Sequence, residues 1–298
     1  INSGGHLAGT SGSTLTFASN LVLAPGAHVD VALGSLVTGN TPLFQVNGNL
    51  TLGGTLNITD AGGFGNGVYR LFDYTSVLVN NTLYFGNLPG AVTNADLEIQ
   101  TSVAGQINLL VASPGQDIQF WDGSGPLQNG NVEGGSGTWS SSNANWTDLN
   151  GTANGTWSSQ FAVFQGAAGK ITVDGTQTVN GMQFITDGYV LTGDALNAVN
   201  RNGGDFAVRV DPGVTATLDL DVNGTGTLNK LDTGTLVLNG DNGYTGGTIL
   251  SGGTIVLGSD SALGTGSLTA ADGTTLDSNQ AVVLANDIGV TGTLSLPG

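Results

Sequence analysis

Few side chains in this sequence belong to the types that perform chemistry, and they do not form a recognisable catalytic set. The triplet Asp232-Thr233-Gly234 matches the active-site motif of aspartic proteases, which need two such carboxylates sharing one proton, but the sequence holds a single copy. The two histidines, His6 and His28, lie outside any nucleophile motif, and we interpret both as exposed loop residues. The sequence therefore predicts no catalytic residue.

Residues for metal or cofactor chemistry are equally scarce. The segment 219–224, DLDVNG, begins like an EF-hand calcium loop, but the twelfth position, where a bidentate acid is required, is Lys230. The alternation of Leu220 and Val222 is typical of a strand instead. Cysteine is absent, which excludes disulfides, thiolate zinc sites and cysteine nucleophiles. We expect no metal site and no cofactor.

A polysaccharide-active enzyme is an alternative that the acidic residues leave open, although anionic sugars would find few basic anchors. The five basic residues are Arg70, Lys170, Arg201, Arg209 and Lys230. Arg201 and Arg209 flank Asp205 and Asp211, and we interpret this group as solvated ion pairs of little energetic weight.

All four tryptophans of the chain lie between residues 120 and 191, in a polar, turn-rich context. Exposed indoles stack on sugars or fill a partner's pocket, whereas buried indoles would hold such a segment to the body of the fold. Both roles stay open at this point. The candidate surface-binding residues are Trp121, Trp139, Trp146 and Trp157.

The elements that must position these residues are strands. Among 298 residues there are 51 glycines but only two glutamates, two lysines and one methionine, and a helical fold would need such residues on its wet faces. The formal net charge of −17 repels phosphate backbones and anionic bilayers. Composition thus indicates an all-β chain that neither binds nucleic acid nor inserts into a membrane.

Strand-like tripeptides that open with Thr-Leu or Thr-Ile recur at a nearly regular spacing from residue 216 onward. Each can bury only a thin apolar face, so the units must stack to form a core. We predict a solenoid with two or three short strands and about 18–21 residues per coil. The recurring positions are Thr217, Thr235, Thr254, Thr275 and Thr293.

The N-terminal part follows the same pattern less strictly. Segments with alternating side chains, such as 29–33 and 55–58, lie between turns at Pro25-Gly26 and Gly62-Gly63. The bulkier segment 67–74 is expected to cap or bulge from a coil. We divide the chain into N-terminal coils at 1–118, a tryptophan-rich segment packed on the solenoid at 119–200, and further coils at 201–298.

The segment 226–258 resembles the passenger-associated transport repeat of bacterial autotransporters. The repeat combines a Leu-x-Lys step, a Gly-Thr-Leu-x-Leu step and an Asn-x-Tyr-Thr-Gly-Gly-Thr turn, and Leu228, Lys230 and Thr248 match it. Asp232 replaces its first glycine. The tryptophan-rich block is similar to a segment common in large passengers. The matching turn and structural positions are Gly234, Gly240, Asn242, Tyr244, Gly246, Gly247, Gly252 and Gly253.

This resemblance implies a right-handed parallel β-helix that is exported to the surface of a Gram-negative bacterium or secreted. It implies a parent protein with a C-terminal translocator barrel outside this sequence, and we expect the sequence to be an interior piece of it. The expected role is a non-enzymatic stalk or adhesin that supports display and adhesion. Expected partners are host-cell or matrix glycans and proteins, or sibling passengers in a self-associating filament.

Overall fold

The computed structural model describes residues 1–35, 42–112, 117–123, 127–201 and 204–297. Within these ranges the chain is built almost wholly of short strands, and the one helical element is a 3-10 turn at Asn94–Asp96. None of the residues in these ranges forms a helix that is long and apolar enough to cross a bilayer. The prediction of an all-β parallel β-helix is confirmed.

The chain divides into two compact units, Ile1–Gln116 and Asp117–Gly298. The division into three segments stays a prediction. The strands of the first unit are β1 (His6–Thr10), β2 (Leu15–Phe17), β3 (Leu21–Val22), β4 (His28–Leu33), β5 (Phe44–Val46), β6 (Leu50–Leu52), β7 (Thr55–Asp60), β8 (Gly67–Tyr74), β9 (Leu78–Asn80), β10 (Tyr84–Phe85), β11 (Leu97–Gln100) and β12 (Gln106–Val111).

In the first unit, three parallel stacks with the orders β1-β4-β7-β10, β2-β5-β8 and β3-β6-β9 form the faces of the coil. One coil leads from Leu21 to its partner Leu50, and the next leads from Leu50 to Leu78. Both are longer than the coils predicted from the C-terminal half. The coil from Leu50 to Leu78 is long because it contains three strands, β6, β7 and β8, of which β7 has six residues and β8 has eight. Alternate side chains of β4 point inward and are buried, as the period of two predicts.

Segment 67–74 forms β8 and closes the parallel stack. One edge of β8 pairs in parallel with β5, and the other pairs antiparallel with β12, which continues to β11. A register shift occurs between Ile107 and Asn108, and a bulge of this kind increases local twist. The antiparallel hairpin covers a strand edge that would otherwise present unpaired N–H and C=O groups.

The second unit contains twenty strands within its described residues. They are β13 (Ile118–Trp121), β14 (Gly137–Ser140), β15 (Trp146–Thr147), β16 (Phe161–Phe164), β17 (Lys170–Asp174), β18 (Gln177–Val179), β19 (Gly181–Phe184), β20 (Tyr189–Gly193), β21 (Leu196–Ala198), β22 (Phe206–Val210), β23 (Thr215–Asp219), β24 (Val222–Gly224), β25 (Leu228–Leu231), β26 (Thr235–Leu238), β27 (Thr248–Leu250), β28 (Thr254–Leu257), β29 (Leu268–Ala270), β30 (Thr274–Ser278), β31 (Ile288–Val290) and β32 (Leu294–Ser295).

Two long parallel stacks run through this unit. The first has the order β13-β16-β19-β22-β25-β27-β29-β31 and the second β14-β17-β20-β23-β26-β28-β30-β32, while β18-β21-β24 forms a third face. Thr235 pairs with Thr254, and Thr254 pairs with Thr275. These are three of the five threonines whose spacing predicted the coil length, so that length is confirmed here.

At the two ends of this series the register differs from the threonine spacing by two residues. The partner of Thr235 on β23 is Thr215, whereas Thr217 pairs with Val237. At the other end Leu294 pairs with Thr274, and Thr275 with Ser295. Both coils keep a length within the predicted 18–21 residues, but the threonines chosen to mark them are not register partners. Outward threonines recur at every second position, and a spacing argument cannot tell neighbouring ones apart.

Candidate functional site: the repeat coil and the tryptophan cluster

The lysine of the repeat lies inside the coil. Lys230 and Leu228 lie two residues apart on β25, so their side chains point to the same inner face, and Lys230 is fully buried. Its ammonium donates to three main-chain oxygens: Leu231 O at 2.9 Å, Asp232 O at 2.8 Å and Gly252 O at 3.2 Å. Three donors therefore meet three acceptors, one on the last residue of β25, one on the turn that follows and one on the next coil.

An ion pair lies beside this lysine. Arg209 on β22 donates from Nε to Asp232 Oδ2 at 3.0 Å and from Nη2 to Asp232 Oδ1 at 3.1 Å, and the two side chains are 2% and 0% exposed. Gln183 donates to the neighbouring buried Asp211 at 3.0 Å. The interpretation of Arg209 and Asp211 as solvated ion pairs is wrong, because the partner of Arg209 comes from the following coil and the group is buried.

Burial dominates the electrostatics of Lys230 and lowers its pKa to about 7, while the carboxylates of Asp232 and Asp211 oppose this shift. The three main-chain oxygens also oppose it, because they stabilise the charged form. Because burial disfavours the charged form of Lys230, the folded state binds fewer protons than the unfolded state between pH 7 and the ordinary lysine pKa of 10.5.

The lowered pKa of Lys230 makes the stability of the second unit depend on pH. We expect the free energy of unfolding of the second unit to rise by about 1–3 kcal/mol from pH 6.5 to pH 9, because the cost of burying the ammonium falls as Lys230 loses its proton. Urea titrations followed by tryptophan fluorescence measure it. In Lys230→Met this rise should be absent, and a rise of the same size in that variant would contradict the assignment.

The asparagine of the repeat joins three coils. Asn242 is 3% exposed. Its Oδ1 accepts from Val222 N on the preceding coil at 2.7 Å, and its Nδ2 donates to Ala262 O on the following coil at 2.6 Å. A side-chain amide with one donor and one acceptor on opposite sides can replace main-chain pairing where the strand is interrupted. Asn242 thus continues the hydrogen-bond stack through a turn.

The tyrosine of the repeat supports the next turn from inside. Tyr244 is fully buried, and its hydroxyl lies 2.6 Å from Thr248 Oγ1, which donates to Leu263 O at 3.1 Å. Burial raises the pKa of the Tyr244 phenol, and the hydrogen bond with Thr248 opposes that shift. The chain Tyr244–Thr248–Leu263 fixes the corner between β26 and β27.

The glycines of the repeat lie where successive coils approach most closely. A Cβ on Gly240 would lie 2.1 Å from Leu220 O, and one on Gly246 would lie 2.5 Å from Gly226 O. Gly247 and Gly253 have φ angles of 83° and 67°, a region that favours glycine. Asp232, which stands at the first glycine position of the repeat, adopts a φ of 63°, a left-handed conformation that favours glycine.

The tryptophans are buried, not on the surface. Trp121, Trp139 and Trp146 are 0% exposed and Trp157 is 7% exposed. Of the two roles left open by the sequence, packing matches this placement, whereas an indole enclosed by protein cannot stack on a ligand from solvent. The proposed surface-binding residues thus become core residues, because β13 and β15 pair antiparallel and bring Trp121 opposite Trp146.

The four indoles form one cluster. The ring of Trp146 lies 5.3 Å from that of Trp121, 4.8 Å from Trp139 and 4.4 Å from Trp157, with Phe164 at 5.8 Å. Edge-on and tilted pairs at these distances add to the gain from burial. Two indoles also bond to the main chain: Trp121 Nε1 donates to Gly135 O and Trp157 Nε1 to Thr178 O, both at 2.8 Å.

The histidines lie on strands and not in loops as we expected. His6 on β1 pairs in register with His28 on β4, and their rings stack at 4.6 Å. His6 Nδ1 lies 2.6 Å from Asp30, which also accepts from Asn57 Nδ2 at 2.7 Å. Across the described ranges, no group of three or more histidine, cysteine, aspartate or glutamate residues is arranged to hold a metal ion.

Sequence reasoning missed the interior position of Lys230 and its neighbour Arg209. The sequence did contain a signal for Lys230, because it lies two residues after Leu228 in a strand whose alternate side chains are buried. For Arg209 the signal was absent: its partner Asp232 is 23 residues away, and only the coil register brings the two together.

Comparison with known proteins agrees with this geometry. The family model for the passenger-associated-transport-repeat matches residues 228–257. Over 294 aligned residues, the chain is 39% identical to the Adhesin BmaC autotransporter of Brucella suis biovar 1 (strain 1330), an alignment that covers 83% of this chain and 8% of that protein. The chain therefore spans a small part of the length of this relative. No solved structure matches the chain.

Proposed function

Because this chain is part of an autotransporter passenger that carries a passenger-associated transport repeat, we propose that it is a non-enzymatic β-helical stalk that supports display and adhesion. The observation that carries the proposal is the uninterrupted parallel stack from β16 to β31, with the repeat inside it. A stack of this kind is stiff because each coil is hydrogen-bonded to both neighbours. The similar Brucella protein is named as an autotransporter adhesin.

The repeat is proposed to assist folding of the passenger after export. Its buried Lys230, Asn242 and Tyr244 each join neighbouring coils or brace a corner, so a folded repeat presents a shaped edge on which the preceding coil can form. Each coil that forms adds burial and hydrogen bonds to the part already outside. Folding free energy can then oppose backward movement of the exported chain.

The proposed location is the bacterial cell surface, or the medium after release, and the parent protein is expected to carry a C-terminal translocator. The proposed partners are host-cell or matrix glycans and proteins, or sibling passengers. The net charge of −17 would weaken contacts with other anionic surfaces, more so at low salt. Adhesion assays on coated matrix proteins and on cells would identify the partner class.

Replacement of Gly246 and Gly247 by valine tests the role of the repeat. Valine at 246 would place Cβ against Gly226 O at 2.5 Å, and valine at 247 would have to adopt a φ of 83°. We expect surface display of the chain, fused to a translocator and measured by antibody labelling of intact cells, to fall at least about tenfold.

Gly289→Val is the matched control, because a Cβ there has nothing nearer than Leu268 O at 3.9 Å. It should be displayed like the original chain. Equal display of the Gly246→Val/Gly247→Val variant and the control would contradict the proposed role of the repeat. Normal display with loss of adhesion in that variant would instead place the repeat at the contact surface.

A further inference from the structure

Neighbouring coils of the second unit have nearly interchangeable interiors. Leu236 and Leu238 on β26 stack on Ile255 and Leu257 on β28, so all four offer the same aliphatic pattern to a strand above. On the side of β23, Leu218 stacks on Leu238, and it would find an equivalent contact in Leu257. The apolar contacts available to β23 are therefore alike on β26 and on β28, so the pattern of apolar residues does not distinguish the two registers. Omission of the coil between them costs the burial of that coil's own side chains.

The buried ion pair separates these two registers. In the observed register the guanidinium of Arg209 faces Asp232, the residue that follows β25. Lys230 pairs with Leu250, so the position equivalent to Asp232 one coil further is Gly252, and a Cβ on Gly252 would lie 3.1 Å from Asp232 O. If the repeat coil were skipped, Arg209 would face Gly252, which carries no carboxylate.

We propose that Arg209 and Asp232 together select the coil register, because omission of the repeat coil would bury the guanidinium of Arg209 without the carboxylate of Asp232. Breaking a buried pair by removing one partner is strongly unfavourable, whereas the intact pair contributes little net stability. The pair therefore acts on specificity more than on stability. The pair thus adds a factor on the order of a hundredfold to the preference for the observed register.

Arg209 lies before the matched repeat at 228–257, and Asp232 occupies its first glycine position. Both side chains of this pair are buried, whereas the His6–Asp30 and Arg70–Asp73 pairs have side chains 20% or more exposed. It also links a coil outside the repeat to the repeat itself. The repeat coil would thus accept its neighbour in a single register.

Paired cysteines can report the register because the chain has none of its own. Thr217 and Val237 are register partners, as are Val237 and Val256. A Thr217→Cys/Val237→Cys pair reports the observed register. A Thr217→Cys/Val256→Cys pair reports the skipped one, because the two residues are two coils, roughly 9.6 Å, apart otherwise and a disulfide needs Cα atoms within about 7 Å.

Each cysteine pair is placed in the original chain and in Arg209→Met/Asp232→Gly, which leaves the net charge unchanged. The proteins are refolded from urea in a glutathione buffer, and the crosslinks are quantified by mass spectrometry. In the original chain we expect the skipped crosslink below about 1%, following the hundredfold preference. In the double variant it should rise at least about tenfold.

Lys170→Met, which removes an exposed cation, should leave both crosslinks unchanged. If circular dichroism shows that Arg209→Met/Asp232→Gly is unfolded, the experiment uses Asp232→Asn instead, because asparagine tolerates a positive φ. We expect the same rise of the skipped crosslink in that variant. A folded variant that forms only the Thr217–Val237 crosslink overturns the proposal. So does an equal rise of the skipped crosslink in Lys170→Met.

Discussion

Lys230→Met is expected to destabilise the second unit by about 3–5 kcal/mol. Methionine keeps the aliphatic stem but leaves the oxygens of Leu231, Asp232 and Gly252 without the donor that they now share. Each unsatisfied buried acceptor costs about 1–3 kcal/mol. Urea unfolding followed by tryptophan fluorescence measures the change, because all four tryptophans belong to this unit.

The matched control is Lys170→Met, which makes the same chemical change at an exposed position of β17. Its unfolding midpoint should stay within experimental error of the original chain. If Lys230→Met unfolded at the same urea concentration as this control, the buried ammonium would not hold the repeat coil together, and Lys230 would have no part in stabilising the repeat.

Trp146→Ala should destabilise the same unit by about 3–5 kcal/mol, the range for removing a large aromatic side chain from a core. Trp146 contacts the other three indoles and Phe164, so its loss opens a cavity at the centre of the cluster. Thermal and urea unfolding by circular dichroism measure the loss. Adhesion, assayed where the variant is still folded, should be unchanged.

Trp146→Phe separates packing from polar contacts. The Nε1 atom of Trp146 is buried without a hydrogen-bond partner among the described residues, so phenylalanine keeps an aromatic ring and removes an unpaired donor. We expect a loss of less than half that of Trp146→Ala. Unchanged stability of Trp146→Ala together with lost adhesion would return the indoles to a contact role.

The fold was predictable because its determinants are local and repeated. Short strands with alternating burial, turns at glycine and a regular recurrence of threonine-led strands indicate a stacked coil without knowledge of any contact. The register was less accessible: outward threonines at 215 and 217 are equivalent in pattern, and only the pairing with Val237 tells them apart.

The interior of the repeat was only partly predictable. Gly246 and Gly247 could be recognised as turn positions from the motif, but a charged side chain such as Lys230 is ordinarily placed in solvent. It is buried here because three main-chain oxygens satisfy it. The burial of Trp121 and Trp146 depends on antiparallel pairing between β13 and β15, which are distant in sequence, and no local pattern encodes that pairing.

The central claim is that successive coils stack in parallel and in register along the second unit. Spin labels on cysteines test it most directly, with one at Lys170 and the other in turn at Val237, Val256 or Asp277, which lie three, four and five coils away. Distances measured by electron paramagnetic resonance should rise by about 4.8 Å per coil, to roughly 14, 19 and 24 Å. Distances that fail to increase in this order, as in two facing antiparallel sheets, would contradict the account.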